Sequence, residues 1–178
     1  MGTMHRAIVA MVAAVGLAAS TAPAVATVPA PTGGCSTVYW GSLPKTSTAV
    51  GYSRLTDLRT GSHSCFDRLV LDLSGSTEGY SVRYVDQLTG IGSGLPVETI
   101  GGAQIEIRVD APASWSLDVD PAVQRLYYHT FRQLVWLGSF EGQSKVGLSV
   151  RARLPMRVFT LDGPGDGSRL VIDVARNW

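Results

Sequence analysis

Catalysis needs a nucleophile, an acid–base pair or a metal, and the chain holds fragments of each. His63 and Ser64, with Asp67 three residues on, supply the residue types of a hydrolase triad. Such a serine needs a base within hydrogen-bond reach and preorganised oxyanion donors. No Gly-x-Ser-x-Gly elbow accompanies the three residues, so they read as a turn leading into a strand. Glu98, Glu106 and Glu141, with Asp86, are the carboxylates from which a glycosidase pair would be drawn. That pair is defined by separation in space, which linear order does not supply, and solvated carboxylates or structural ion pairs are the plainer reading. Asp162 and Asp166 flank glycines in Asp162-Gly163-Pro164-Gly165-Asp166-Gly167 without EF-hand spacing or a closing glutamate, which makes a hairpin turn rather than a calcium loop. His63 and His129 stand in no His-Glu-x-x-His frame or Cys/His ligand pattern, and Gly90 to Gly94 lacks the Gly-Lys-Ser of a phosphate loop. No catalytic residue, metal ligand or cofactor is assigned.

Binding chemistry is better represented. Of the 15 basic residues only Lys45 and Lys145 are lysines, and arginine suits fixed, bidentate partners such as carboxylates. Alternation places Arg151 and Arg153 on one strand face, with Arg157 close by beyond Leu154-Pro155. Tyr84, Trp136 and Trp40 offer rings for stacking on sugars, or for packing in the core and over a disulfide. The candidate ligand-binding set is Arg132, Arg151, Arg153 and Tyr84. A formal net charge of +1 gives no electrostatic case for nucleic acid.

The elements that must position these residues are short alternating runs. Arg68-Leu69-Val70-Leu71-Asp72-Leu73 and Arg169-Leu170-Val171-Ile172-Asp173-Val174 are near copies. In an extended chain each carries aliphatic residues on one face and Arg, Val and Asp on the other. Arg68 and Asp72 lie about 13 Å apart along a strand and do not pair with each other. If the runs are antiparallel neighbours, Arg68 faces Asp173, Asp72 faces Arg169 and Val70 faces Val171; otherwise each holds the equivalent place in one half of a duplicated fold. Further strands are expected at 50–59, 80–85, 103–109, 131–137, 145–151 and 157–161, separated by Gly, Pro and Ser turns. Pro121 to Tyr128 reads as one short helix or a loop. The fold class is all-β, an antiparallel β-sandwich or open barrel of about eight strands with at most one short helix.

Residues 1–26 read as a secretory signal peptide, with His5 and Arg6 before the apolar run Ala7 to Ala19 and a small-residue cleavage site at Ala24-Val25-Ala26. The run is shorter than the ~20 residues of a spanning helix, so no stable membrane insertion is expected after cleavage. Residues 27–49 form an irregular arm and 50–178 the β domain. Two cysteines, Cys35 and Cys65, follow the leader; in an oxidising compartment one disulfide is their simplest use, with free thiols or an intermolecular bridge as alternatives.

The ordered set Phe66 to Leu73, Gly79-Tyr80-Ser81-Val82-Arg83-Tyr84-Val85, Phe131-Arg132-Gln133, Gly138-Ser139-Phe140-Glu141-Gly142 and Arg169 to Val174 resembles the AMIN-like domain of exported actinobacterial proteins. That domain is similar to the AMIN module of cell-wall amidases and secretins. The resemblance implies an extracytoplasmic, non-catalytic β module that binds peptidoglycan-like cell-wall glycan or an envelope protein, and it carries over no catalytic residue. No amidase domain follows in this sequence, so a targeting role implies a separate partner.

Overall fold

The computed structural model describes residues 35–76 and 79–178; the signal-peptide reading falls outside them. The strands are β1 (Lys45–Ser47), β2 (Leu55–Ser62), β3 (Phe66–Leu73), β4 (Tyr80–Val85), β5 (Ala103–Val109), β6 (Val123–Arg125), β7 (Phe131–Phe140), β8 (Gln143–Val150), β9 (Met156–Asp162) and β10 (Ser168–Ala175). They form two antiparallel sheets, one ordered β1-β4-β5-β8-β7-β6 and the other β2-β3-β10-β9. This is an open sandwich rather than a closed barrel, with no helix among the described residues.

The repeated runs are neighbours at the centre of the smaller sheet. Arg68 is opposite Asp173, Val70 opposite Val171 and Asp72 opposite Arg169, as the antiparallel-neighbour reading requires. Alternation then sends Leu69, Leu71, Leu170, Ile172 and Val174 inward, where they meet Val82, Ile105, Ile107, Val146 and Leu148 of the larger sheet in one core. Burial of these aliphatic faces is the main favourable term in holding the sheets together.

A second, smaller cluster lies on the far side of the larger sheet. Leu88, from the loop after β4, packs on Val135 and Leu137 of β7. Register shifts in β7 before Gln133 and before Gly138 mark bulges; between them ordinary alternation puts Val135 and Leu137 on the outer face and Leu134 and Trp136 on the inner one. Gly147 of β8 makes room for Leu88, since a Cβ there would stand 2.4 Å from a Leu88 methyl carbon.

Cys35 and Cys65 are disulfide-bonded, and Cys65 directly precedes β3. The bond tethers an arm that contributes β1, paired with β4, and Trp40, which packs edge-on to Phe66. β1 is three residues long and lies within the stretch read as irregular.

Three local expectations need correction. Pro121 to Tyr128, read as one short helix or a loop, is neither throughout: Val123–Arg125 pair with β7 at Val135, Leu134 and Gln133, with irregular chain on either side. A helix this short has too few internal hydrogen bonds to compete with an available strand edge. The 50–59 strand lies later, at Leu55–Ser62, because its ladder with β3 continues to Ser62 opposite Asp67. Arg151 and Arg153 are not on a strand: β8 ends at Val150, where the chain leaves the larger sheet to reach β9 in the other, and alternation ceases to place side chains.

Candidate functional site

The arginines do not converge on one groove. Arg68 holds Asp173 through Nε and Nη2 at 2.6 and 2.9 Å, and Arg157 reaches the other side of the same carboxylate at 2.8 Å. The Arg157 guanidinium lies 4.3 Å from the Trp40 ring, and both cations lie over Phe66 and Phe159. Arg132 donates to the carbonyls of Tyr128, His129 and Phe131, closing the turn into β7. Arg151 donates to the carbonyl of Arg176. These two side chains tie down backbone in the geometry seen here.

Tyr84 and Arg153 do meet. The Arg153 guanidinium lies 4.9 Å from the Tyr84 ring centroid and also donates to Ser42. The Tyr84 hydroxyl donates to the Leu154 carbonyl at 2.8 Å and accepts from the Leu154 amide at 3.0 Å. Burial raises the pKa of this phenol, with the hydrogen bond to Leu154 and the Arg153 charge opposing. Together with Asp86, Gly102 and Gln104 the pair lines a groove of about 330 Å³ at the C-terminal end of β4. One ring face of Tyr84 is thus already covered by a guanidinium.

Open aromatic faces lie at the opposite end of β4. Tyr52 and Trp115 are 97% and 96% exposed. Their segments are bound together through Leu55, whose amide donates to the Pro112 carbonyl at 3.0 Å and whose carbonyl accepts from the Ser114 amide at 2.8 Å. Tyr52, Ser53, Arg54, Ser74, Asp110 and Pro112 line a groove of about 410 Å³ there. The Ser53 hydroxyl in its wall is buried with no hydrogen-bond partner among the described residues. Trp40 and Trp136, the rings singled out from sequence, are engaged instead with Arg157 and the core. Sequence reasoning passed over both: Tyr52 fell inside the strand expected at 50–59, and Trp115 lies in a stretch without periodicity.

On the outer face of the larger sheet, Glu106 of β5 gathers three cations. Arg83 lies 2.8 Å and Arg108 3.3 Å from Oε1, and Lys145 lies 2.7 Å from Oε2. Burial pushes the Glu106 carboxyl upward, but hydrogen bonds from Lys145 and Arg83 and the charges of Lys145 and Arg108 outweigh it and hold the group below its ordinary range. Lys145, 1% exposed, also donates to the Thr89 hydroxyl at 3.1 Å.

The other acid candidates are dispersed or engaged. Asp67 is fully buried and accepts from Ser62 and from the amides of Thr130 and Phe131, which leaves no free carboxylate beside His63; His63 stacks on Phe66. Glu141 forms the β7–β8 turn with Gly142, both at positive φ, as a two-residue type I′ hairpin demands. A depression of about 880 Å³ runs between β2, β3 and the β9–β10 turn; in it Asp72 is paired with Arg59 at 2.6 Å. No group of three or more His, Cys, Asp or Glu able to hold a metal occurs among the described residues.

A family model described as the AMIN-like domain matches residues 53–176. No curated protein and no solved structure matches the chain.

Proposed function

The chain belongs to the AMIN-like domain family, and from that premise we propose that it is an exported, non-catalytic module of the cell envelope that holds peptidoglycan-like cell-wall glycan without turning it over. The observation that carries the reading is the exposure of Tyr52, in the wall of a groove with Arg54, Ser74 and Asp110, and of Trp115 on the segment whose backbone Leu55 ties to that wall. A sugar ring presents C–H groups on its face and hydroxyls around its rim. The first stack on an aromatic face, and the second need donors and acceptors placed around it. Family membership suggests the cell envelope, and the Cys35–Cys65 disulfide is consistent with an oxidising compartment. In this reading Tyr84 and Arg153 form a secondary contact surface at the other end of the sandwich, while Arg132 and Arg151 act through the backbone they hold.

Co-sedimentation with purified peptidoglycan tests the proposal. The exported chain is expected in the pellet. Tyr52→Ala and Trp115→Ala, which remove rings that cover almost nothing, should weaken retention by about tenfold or more, the effect of losing a well-placed aromatic anchor, while leaving the unfolding transition unchanged. Full recovery of the wild-type chain in the supernatant overturns glycan binding.

A specific observation favours a second reading, a protein-interaction module. β9 is an edge strand of the smaller sheet, and Thr160, Leu161 and Asp162 on it are exposed; such an edge can take an added strand from a partner. It predicts an envelope protein that co-purifies and is not released by wall digestion.

A further inference from the structure

We infer that the outer face of the larger sheet carries an oxyanion-binding site formed by Arg83 and Arg108, which would take a carboxylate or phosphate group presented by an envelope polymer. This goes beyond the glycan reading and uses none of its residues.

The charge balance is the starting point. Arg83, Arg108 and Lys145 meet a single carboxylate, that of Glu106, so the cluster carries a formal surplus of two positive charges. Lys145 is desolvated, and its field is weakly screened. The register explains the convergence. Arg83 is directly opposite Glu106 on the neighbouring strand, Arg108 follows two residues later on the same strand, and Lys145 is opposite Arg108 from the other side. All four therefore share one face.

The two arginines are also presented outward. Their side chains are 49% and 40% exposed, against 2% for Lys145 and 5% for Glu106. Arg83 uses Nε and Nη2 on Glu106, and Arg108 uses Nε alone. Arg83 Nη1 and both terminal nitrogens of Arg108 have no other acceptor among the described residues. Glu106 thus orients two guanidinium forks without saturating them. Forks held in place lose less conformational freedom on binding a planar or tetrahedral oxyanion. Ser81, opposite Arg108, adds a hydroxyl at the margin.

Asp173 supplies the comparison that marks this cluster out. It also faces more than one cation, but the guanidiniums of Arg68 and Arg157 are covered by the rings of Phe66, Phe159 and Trp40, whose negative faces meet the surplus. No aromatic ring lies over Arg83 or Arg108 among the described residues. Their surplus is open to solvent.

The test is a titration of the chain purified after export, at low salt, followed through the arginine Nε–H resonances. Inorganic phosphate, a triglutamate peptide and poly(glycerol phosphate) are the probes. The expected result is saturable movement of the Arg83 and Arg108 signals with at least one of them. Affinity for the same probe, read by titration calorimetry because the reporting arginines are gone, should fall by about tenfold or more in the Arg83→Gln/Arg108→Gln double variant, since hydrogen bonds to a charged group are lost. It should be unchanged in Arg125→Gln, an exposed arginine on β6. A response to triglutamate alone assigns a carboxylate ligand and a response to the phosphate probes alone assigns a phosphate. Native urea transitions in the double variant keep the comparison valid, because Glu106 retains Lys145. No movement with any probe, or equal weakening in Arg125→Gln, overturns the site.

Discussion

Arg68 and Asp173, 105 residues apart in the chain, form a bidentate ion pair across the β3–β10 ladder, and the Asp173 carboxylate is wholly buried. The pair joins the two near-identical runs at one end only: Asp72 stands opposite Arg169 in the same ladder but is held by Arg59, while Arg169 donates to the Asp162 carbonyl. Hydrogen bonds from Arg68 raise the pKa of that guanidinium against the opposing cost of burial.

Removal of the shared acid is therefore expected to cost more than removal of either base. Asp173→Ala leaves Arg68 and Arg157 facing each other over a vacated carboxylate and should destabilise the domain by about 3–5 kcal/mol. Arg68→Ala should cost less, because Arg157 still serves Asp173. In a double-mutant cycle by urea unfolding, the two losses should couple by about 1–3 kcal/mol. Strictly additive losses would remove the pair as a structural tie.

Glu106 makes stability depend on acid pH. Its folded pKa lies below the ordinary value, so its contribution is fully present above the unfolded carboxylate range and is lost as pH falls through the depressed folded value. Glu106→Gln should cost about 3–5 kcal/mol at neutral pH, because Lys145 is left buried without its counter-charge. The variant should also lose part of the acid limb. Urea midpoints measured from neutral to acid pH check this, and wild-type and variant curves running parallel would contradict it.

The loop that covers the outer cluster depends on a missing side chain. Gly147→Ala places a methyl against Leu88 and should cost about 1–3 kcal/mol as overpacking. The damage should be local: hydrogen exchange is expected to accelerate in residues 86–100 while β3 and β10 stay protected. Leu88→Ala in the same chain should recover part of the loss, and a fully additive double variant would place the strain elsewhere.

Much of the sandwich could be read from order and alternation. Period-two patterning marked β3, β4, β5 and β10 within a few residues, because each of these strands turns its apolar face to the core and its charged residues to the other face. β1 and β6 left no such record. Each is three residues long and held by backbone pairing to β4 or β7, which any side chains permit. The candidate site was less legible for a related reason. Tyr52 and Trp115 lie in connections, and their exposure depends on how Leu55 docks between Pro112 and Ser114, a contact between segments that no local pattern encodes.

By itself the sequence determined the all-β class, because hydrophobic period is a property of residue order; it narrowed the two Arg-to-Asp runs and the two cysteines to a few arrangements each, among which the β3–β10 ladder and the Cys35–Cys65 disulfide decided. Only the tertiary structure decided what each arginine does. Arg132 and Arg151 bind carbonyls, Arg68 and Arg157 share an aspartate beneath aromatic rings, and Arg83 and Arg108 stand half-exposed around one glutamate. A guanidinium on a long stem reaches whichever acceptor the packing of distant segments brings near, and that proximity is set by the folding of the two sheets against each other.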